Sequence, residues 1–406
     1  MTQFKSVSGL LALVLFSAVA SLSAPAAERR IVVFKPRTSP AERLQLIKDN
    51  GGKVVRELPQ INAVVIEDSS ELRAQDARLL SLSQVARIDP DPVINWLLMA
   101  DAPGLDFAPP SPAAILSGMK SLRSETLAWR RPRADSVTPW GIDRVKAPLA
   151  WKTTMGRGVK VAVIDTGIDF SHPDLAANVK GGWNAVKIST DYNDDNGHGT
   201  HCSGTIAGLN NTTGVIGVAP EAELYGVKVL DSRGSGTYDD VIAGMLWAVE
   251  NKMEIASMSL GAGLGNQSLA DAVEVMRKAG VILVAAAGNS GGPVSYPAAY
   301  PGAIAVSASD IDNRLASFSS RGRPVAVIAP GVDIRSTFLG GDYKTQSGTS
   351  MAAPHVAGIL ALYVSTHKGA TPQQALVALA ASSSRLPQVD RDSQGAGLPN
   401  ANKIVH

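Results

Sequence analysis

The sequence predicts an α/β fold, in which a parallel sheet is covered by helices on both faces in three layers, preceded by a small α+β domain. Short runs of β-branched apolar residues recur after residue 140, and helix-length segments separate several of them. This alternation is typical of parallel sheets that are buried on both sides. Between residues 29 and 98, the order strand, helix, strand, helix, strand predicts the smaller domain.

The first 26 residues are typical of a secretory signal. Lys5 is a positive charge that precedes an apolar run at 9–22, and Ala24-Pro25-Ala26 offers a small-x-small cleavage site. The run is too short to cross a bilayer comfortably, although an uncleaved anchor is the alternative. We therefore expect residues 1–26 to be removed and the protein to be secreted, without stable membrane association.

The small domain is predicted at residues 29–98. Residues 31–34, 63–67 and 85–88 have the composition of strands, and 41–50 and 71–82 have that of helices. Gly51-Gly52 would end the first helix. This order predicts a split-βαβ, ferredoxin-like sandwich. Residues 99–133 are rich in Pro and Ala, lack periodicity, and are predicted to be a linker.

The main domain is predicted at residues 134–406. Helices are expected at 237–251 and 268–279. Strands are expected at 159–164, 224–229, 255–258, 281–286, 303–306 and 325–328. Ligands of parallel sheets bind at the carboxyl ends of the strands, so we expect the functional residues there.

Charge and cysteine content exclude several classes of protein. The chain has 406 residues, with 38 Lys and Arg against 36 Asp and Glu, and a net charge of +2. This balance gives no indication of nucleic-acid or anionic-membrane binding. The single cysteine, Cys202, excludes an internal disulfide framework. We expect Cys202 to be a small buried thiol, with a reactive thiol as the alternative.

Four polar residues follow predicted strands or begin predicted helices. Asp165 ends an apolar strand, where it could be a turn or N-cap aspartate. His198 lies between two glycines at the start of a helix, and a metal pair with His201 is the alternative to a catalytic role. Ser350 precedes a helix of small residues, where a plain N-cap is also possible. Asn289 ends another strand and has an amide that can donate.

Together, these residues match one chemistry. The order Asp, His, Ser, with Asn between His and Ser, is that of the subtilisin triad. The chain resembles the subtilisin family from about residue 140 to 401. The resemblance rests on Asp165-Thr166-Gly167, on His198-Gly199-Thr200-His201 and on Gly348-Thr349-Ser350-Met351-Ala352-Ala353-Pro354-His355.

The resemblance implies a secreted serine endopeptidase of broad specificity. It assigns Asp165, His198 and Ser350 to the catalytic triad and Asn289 to the oxyanion hole. An inactive binding protein of the same fold is one alternative. An esterase of the α/β-hydrolase type is another, but it would need Gly-x-Ser-x-Gly and the order Ser, Asp, His.

The resemblance also implies where a peptide substrate lies. The substrate would add as an extended strand between two segments of small residues. The pocket for its main side chain carries no charge, so we expect a preference for large apolar side chains. The substrate-binding residues are Gly234, Ser235, Gly236, Ser259, Leu260, Gly261, Ala286, Ala287 and Gly288.

A structural Ca²⁺ is implied by the loop at residues 209–215. Irregular coordination by oxygen atoms alone suits calcium. The ligands would be side-chain oxygens of Asp174 and Asn211 and backbone carbonyls of Leu209, Thr213 and Val215. Asn210 and Asn211 also fit glycosylation sequons, which is the alternative. The family's second cation site has Ala326 where an aspartate is usual, so it is not expected here.

The domain at residues 29–98 resembles the family's propeptide, which assists folding and inhibits the enzyme. We therefore expect self-processing, with the chain's own propeptide and protein or peptide substrates as partners. The mature enzyme is expected to be a monomer. The linker leaves two positions open for the maturation site, near Ala100 or near Arg133-Ala134.

Overall fold

The computed structural model describes residues 28–68, 72–97 and 137–406. The signal segment 1–26 and the linker 99–133 lie outside the described residues. Their assignments, and with them the exact domain boundaries, therefore stay predictions. Residues 28–97 are called the N-terminal module below, and residues 137–406 are called the main domain.

The N-terminal module has a four-stranded antiparallel sheet in the order β2-β3-β1-β4. Its helices are α1 (Pro40–Asp49) and α2 (Leu72–Ser81). Its strands are β1 (Glu28–Phe34), β2 (Lys53–Leu58), β3 (Ala63–Asp68) and β4 (Val85–Pro90). The split-βαβ prediction omitted β2, because half of its residues are charged and its exposure does not alternate regularly.

The sheet of the module is buried on both faces. On one face, Val32, Phe34 and Ile66 pack with Ile47 of α1. On the other face, Ile31 and its neighbours belong to an apolar cluster that continues into the main domain. Side chains alternate in direction along β1. One face of this strand therefore packs within the module, and the other packs against the main domain.

The main domain contains a seven-stranded parallel sheet in the order β13-β12-β11-β10-β6-β8-β7. Its strands are β6 (Lys160–Asp165), β7 (Val179–Asn184), β8 (Glu223–Lys228), β10 (Ile255–Met258), β11 (Ile282–Ala286), β12 (Ala303–Ser309) and β13 (Val325–Pro330). The sequence reasoning missed β7, in which two glycines and a lysine dilute the apolar pattern.

Helices cover both faces of this sheet, so the predicted three-layer arrangement is confirmed. One core cluster contains Ile206 and Val356, and another contains Val241 and Met276. These residues lie on α5 (His198–Ala207), α8 (Thr349–Thr366), α6 (Tyr238–Glu250) and α7 (Gln267–Ala279). The other helices are α3 (Trp140–Arg144), α4 (Ala147–Ala150), α9 (Pro372–Ser382), α10 (Arg391–Gln394) and α11 (Ala401–Ile404). Within the described ranges, no helix has the length and apolar character to cross a membrane.

Two short strands connect the module to the main domain. β5 (Val93–Asn95) pairs antiparallel with β9 (Ser235–Thr237), in the register Val93↔Thr237 and Asn95↔Ser235. A separate hairpin is formed by β14 (Ile334–Thr337) and β15 (Tyr343–Gln346). The module thus places its last described residues at the carboxyl-end edge of the parallel sheet.

Candidate active site

Asp165 and His198 form a buried pair at this edge. Asp165 ends β6, and its Oδ1 lies 2.8 Å from Nδ1 of His198 and accepts the N–H of Thr166 at 2.7 Å. A Cβ at Gly199 would lie 2.1 Å from the carbonyl oxygen of Gly167. Only glycine therefore allows α5 to approach β6 closely enough for this contact.

The loop that precedes His198 is organised by Asp194. Its Oδ1 accepts the N–H groups of Asn196 and Gly197, both at 2.9 Å. Its Oδ2 accepts the N–H and the hydroxyl of Thr200, at 2.9 and 2.6 Å. Because these bonds satisfy N–H groups at the start of α5, they hold the first turn, and thereby the imidazole, in place.

Ser350 lies in the first turn of α8 and is wholly buried in the presence of the module. Its hydroxyl donates to the carbonyl of Ser259 at 3.1 Å, and the Ser259 hydroxyl donates to the carbonyl of Ser350 at 2.8 Å. Ser259 directly follows β10. The nucleophile candidate is therefore held against one of the two predicted substrate segments.

The amide of Asn289 is held in one orientation. Its Oδ1 accepts the N–H and the hydroxyl of Thr349, both at 2.9 Å. Its Nδ2 is buried and has no hydrogen-bond partner among the described residues. A buried donor without a partner is costly in a protein interior, and it is suited to an oxygen that becomes negative during a reaction.

The two predicted substrate segments flank a single strand. The N–H of Trp96 donates to the carbonyl of Gly234 at 3.0 Å, and the N–H of Gly261 donates to the carbonyl of Trp96 at 3.2 Å. The indole Nε1 donates to the carbonyl of Gly236 at 3.0 Å. The end of the module thus occupies the groove between residues 234–236 and 259–261.

The predicted pocket residues directly precede Asn289. Ala286 and Ala287 are buried, and the N–H of Gly288 donates to the Thr349 hydroxyl at 3.1 Å. Gly288 has φ +106°, which other residues rarely adopt. This turn brings the pocket residues and the first turn of α8 together.

His201 does not contribute to a metal pair with His198. Its Nε2 lies 3.0 and 3.1 Å from the carbonyl oxygens of Ile334 and Lys344 in the neighbouring hairpin. Burial lowers the pKa of His201 to about 3, so the ring is neutral. Cys202 is buried, and its Sγ lies 3.4 Å from the carbonyl oxygen of Ser350.

Asp174 and the loop at residues 209–215 come together. Asp174 is buried, its Oδ1 accepts from Nδ2 of Asn211 at 2.6 Å, and its Oδ2 accepts from the N–H of Val215 at 2.8 Å. Leu209 donates its N–H to the carbonyl of Asp174, and Thr213 donates its N–H to Oδ1 of Asn211. The predicted ligands are therefore neighbours.

The donor set fits Ca²⁺ with one adjustment. Asn211 directs its nitrogen toward Asp174, so its amide must turn to offer oxygen to a cation. In the part of the chain that the structure describes, the ion pairs provide Asp174 with no cationic partner, although the Tyr343 hydroxyl donates to it at 2.9 Å. Tyr343 could not be predicted as part of this site, because it is distant from Asp174 along the chain.

Lys228 is a second residue at the site that sequence reasoning missed. It ends β8 and is buried, and its Nζ donates to the carbonyl of Thr166, the residue after Asp165. A lysine within the predicted strand 224–229, whose other residues carry no charge, was the available signal.

The comparisons with known proteins agree with this geometry. Residues 156–398 match the model of the subtilase family. Subtilisin E of Bacillus subtilis (strain 168) is 41% identical over 373 residues, which cover 88% of this chain and 87% of that protein. M-protease of Shouchella clausii is 40% identical over 361 residues, or 88% and 86%. Subtilisin Savinase of Lederbergia lenta is 52% identical over 231 residues, or 56% and 84%. The chain therefore belongs to the subtilase family of serine endopeptidases.

Proposed function

We propose that Asp165, His198 and Ser350 are the catalytic triad of this serine endopeptidase and that Asn289 stabilises the oxyanion. The observation that carries this proposal is the amide of Asn289, which is fixed by Thr349 and keeps a buried donor without a partner among the described residues. A plain structural asparagine would use that donor in the fold.

The proposed mechanism follows from the hydrogen bonds. Asp165 binds Nδ1 of His198, so Nε2 is the ring atom that accepts a proton. The Ser350 hydroxyl turns from the carbonyl of Ser259 toward this nitrogen as its oxygen attacks the peptide carbonyl. His198 then protonates the leaving amine, and Asp165 stabilises the imidazolium.

The negative charge of the tetrahedral intermediate would be bound by two donors. One is Nδ2 of Asn289, and the other is the backbone N–H of Ser350, which lies in the first turn of α8. Unpaired N–H groups and the helix dipole both favour an anion at this end of a helix. An arrangement of this kind is worth most where water is excluded.

The end of the module indicates how a peptide substrate would bind. Its segment 93–97 pairs with β9 and accepts from Gly261, which is how an extended peptide substrate would bind. Trp96 and Leu97 directly follow β5, and both are buried. We therefore place the maturation cleavage within residues 97–101, near Ala100 rather than near Arg133-Ala134, and expect large apolar side chains in the substrates.

The remaining features of the proposal rest on the sequence and the family. The signal at residues 1–26 supports export and secretion of a preproenzyme. A monomer is proposed for the mature enzyme. An inactive binding protein is disfavoured, because the residues of the triad and the oxyanion donor are all present.

Calcium is proposed at Asp174, Asn211 and the carbonyls of Leu209, Thr213 and Val215. It would neutralise the buried carboxylate and hold the loop. Because binding to the folded state alone stabilises that state, chelation should shorten the thermal inactivation half-life, and calcium should restore it. A half-life that EDTA leaves unchanged in the wild type would refute this site; Asn211→Ala should remove the effect.

The triad is tested with Ser350→Ala. Hydrolysis of casein should be lost, and the variant should accumulate as a full-length precursor, since the same serine would cut residues 97–101. Mass spectrometry of the wild type should give a new N-terminus in that segment. Normal maturation of Ser350→Ala in a host without proteases would contradict self-processing, and retained hydrolysis would contradict the triad.

A further inference from the structure

Lys228 is a buried lysine whose ammonium lies among the loops of the active site. It ends β8 and is 3% exposed. Burial of an ammonium is costly unless hydrogen bonds compensate for the lost water. The proposed mechanism assigns no role to this buried ammonium.

The three N–H bonds of the ammonium each have an acceptor. Nζ donates to the carbonyl of Thr166 at 2.7 Å, to the carbonyl of Leu230 at 2.9 Å and to Oδ1 of Asp195 at 2.6 Å. A lysine ammonium has three donors, so the group is fully satisfied. One side chain therefore fastens three separate stretches of the chain to the end of β8.

Each of these stretches carries part of the site. Thr166 directly follows Asp165, Asp195 precedes His198 by three residues, and Leu230 leads to the substrate segment that begins at Gly234. Within the same region, the N–H of Leu230 donates to the carbonyl of Asp165 at 3.2 Å. The ammonium thus connects the carboxylate, the imidazole loop and the substrate groove.

A second contact supports the same connection. Nδ2 of Asn196 donates to the carbonyl of Ser232 at 2.9 Å, while its Oδ1 accepts the N–H of His198 at 3.1 Å. The loop before His198 is therefore fastened to the loop before Gly234 at two points. A displacement of either loop would move the imidazole relative to the bound substrate.

We propose that Lys228 is a positioning residue that holds the Asp165–His198 pair in register with the substrate segment 234–236. This inference rests on the proposed triad. Displacement of catalytic groups by about 1 Å can reduce the rate on the order of 100-fold. The ammonium also opposes a second positive charge nearby. We therefore expect the ammonium to disfavour an imidazolium at His198.

The charged and titratable groups around His198 determine how a pH profile responds. Asp165 faces it from β6, and His201 and Cys202 lie on its own helix. Asp194 and Asp195 lie in the preceding loop, and Lys228 faces this loop from β8. Replacing Lys228 with a neutral residue removes a cation from this set. Replacing Asp195 with Asn removes an anion, so the two substitutions should shift the pH profile in opposite directions.

The test compares three variants, each expressed as the full-length precursor and allowed to process itself. Activity is measured on a peptide substrate. Lys228→Met should lower kcat by about 10- to 100-fold, with KM changed less, and should move the acid limb of the kcat/KM profile to higher pH. Asp195→Asn keeps an acceptor for Lys228, so kcat should change little, but the acid limb should move to lower pH. Lys160→Met is the matched control at the opposite end of the sheet and should leave both unchanged.

The outcomes separate this inference from the proposed function. An inactive wild type would refute the proposed function itself. A folded Lys228→Met variant with the kcat and pH profile of the wild type would overturn the positioning role. If Lys228→Met does not fold, Asp195→Asn decides: an acid limb that shifts to lower pH supports the coupling, and an unshifted limb overturns it.

Discussion

The N-terminal module contacts the main domain in two regions that use different chemistry. In the groove, segment 93–97 makes backbone hydrogen bonds and buries Trp96, whose ring lies edge-on to Tyr238 with centroids 5.0 Å apart. At the start of α6, the contact consists of ion pairs. The groove contact can be made by any extended apolar peptide, whereas the charged contact requires the folded module.

The charged contact is centred on Asp239, which is wholly buried. Its Oδ2 lies 2.6 Å from Nη2 of Arg29 and 2.9 Å from Nη1 of Arg56. Asp91 of the module pairs with Arg29 at 2.9 Å and accepts the N–H of Asp239 at 2.8 Å, at the N-terminus of α6. Asp240 pairs with Arg56 at 3.3 Å. We therefore propose that inhibition by the module would depend in part on charged contacts that short substrates lack.

The largest effect is expected from a substitution that impairs catalysis and leaves both contacts intact. Asn289→Ala should lower kcat by roughly 10²- to 10³-fold, because the amide binds the oxyanion more strongly than the ground-state carbonyl. KM for a peptide and the inhibition constant of the module should change little. Steady-state kinetics measure all three values. A large rise in KM at constant kcat would assign Asn289 to substrate binding instead.

The second change breaks the groove contact. Trp96→Ala removes a fully buried indole, which costs about 3 kcal/mol and corresponds to an inhibition constant about 150-fold higher. The value is measured with module purified after processing. Leu80→Ala, on an exposed side chain of the module, serves as the control. Equal inhibition by both variants would mean that the groove contact contributes little.

The third change breaks the charged contact. Arg56→Met leaves the buried carboxylate of Asp239 with one cationic partner fewer and should weaken inhibition by about 30-fold, or about 2 kcal/mol. Asp240→Asn, which removes a longer ion pair, should have a smaller effect. Hydrolysis of short peptides should be unaffected in both variants, since these substrates do not extend to the charged contact at Asp239 and Asp240. A parallel loss of peptide hydrolysis would contradict the separation of the two regions.

The smallest expected effect is a pH dependence confined to the charged contact. Burial raises the pKa of Asp239 to about 7 in the docked state, against the opposing effect of Arg56. We expect water to reach this carboxyl once the module is released, so that its pKa returns toward the ordinary value. The docked state therefore binds the proton more tightly, and inhibition should strengthen as pH falls below about 7.

Between pH 8 and pH 6, we expect the inhibition constant to fall by about tenfold. The measurement is a titration of the enzyme with the module at each pH. Asp239→Asn should remove this dependence, because the variant cannot take up the proton. A dependence of the opposite sign, or one that persists in Asp239→Asn, would locate the titrating group elsewhere.

Periodicity and motifs predicted the architecture and the residues of the candidate site. Apolar strands such as 255–258 were predictable, because burial on both faces requires an unbroken apolar run. The motifs around Asp165, His198 and Ser350 were recognisable, since close packing demands particular residues, as at Gly199. Strand β7 was not predictable, because its residues Gly181 and Gly182 resemble a turn.

The sequence by itself therefore determined many of the helices and strands, the family and the residues at the ends of the predicted strands. Only the tertiary structure decided which distant groups meet: Asn289 with Thr349, Lys228 with Thr166, and Arg29 with Asp239. Local patterns report whether a side chain will be buried, but not which partner satisfies its hydrogen bonds or its charge. That choice depends on how the strands and loops are arranged in space, because the partners are up to 210 residues apart along the chain.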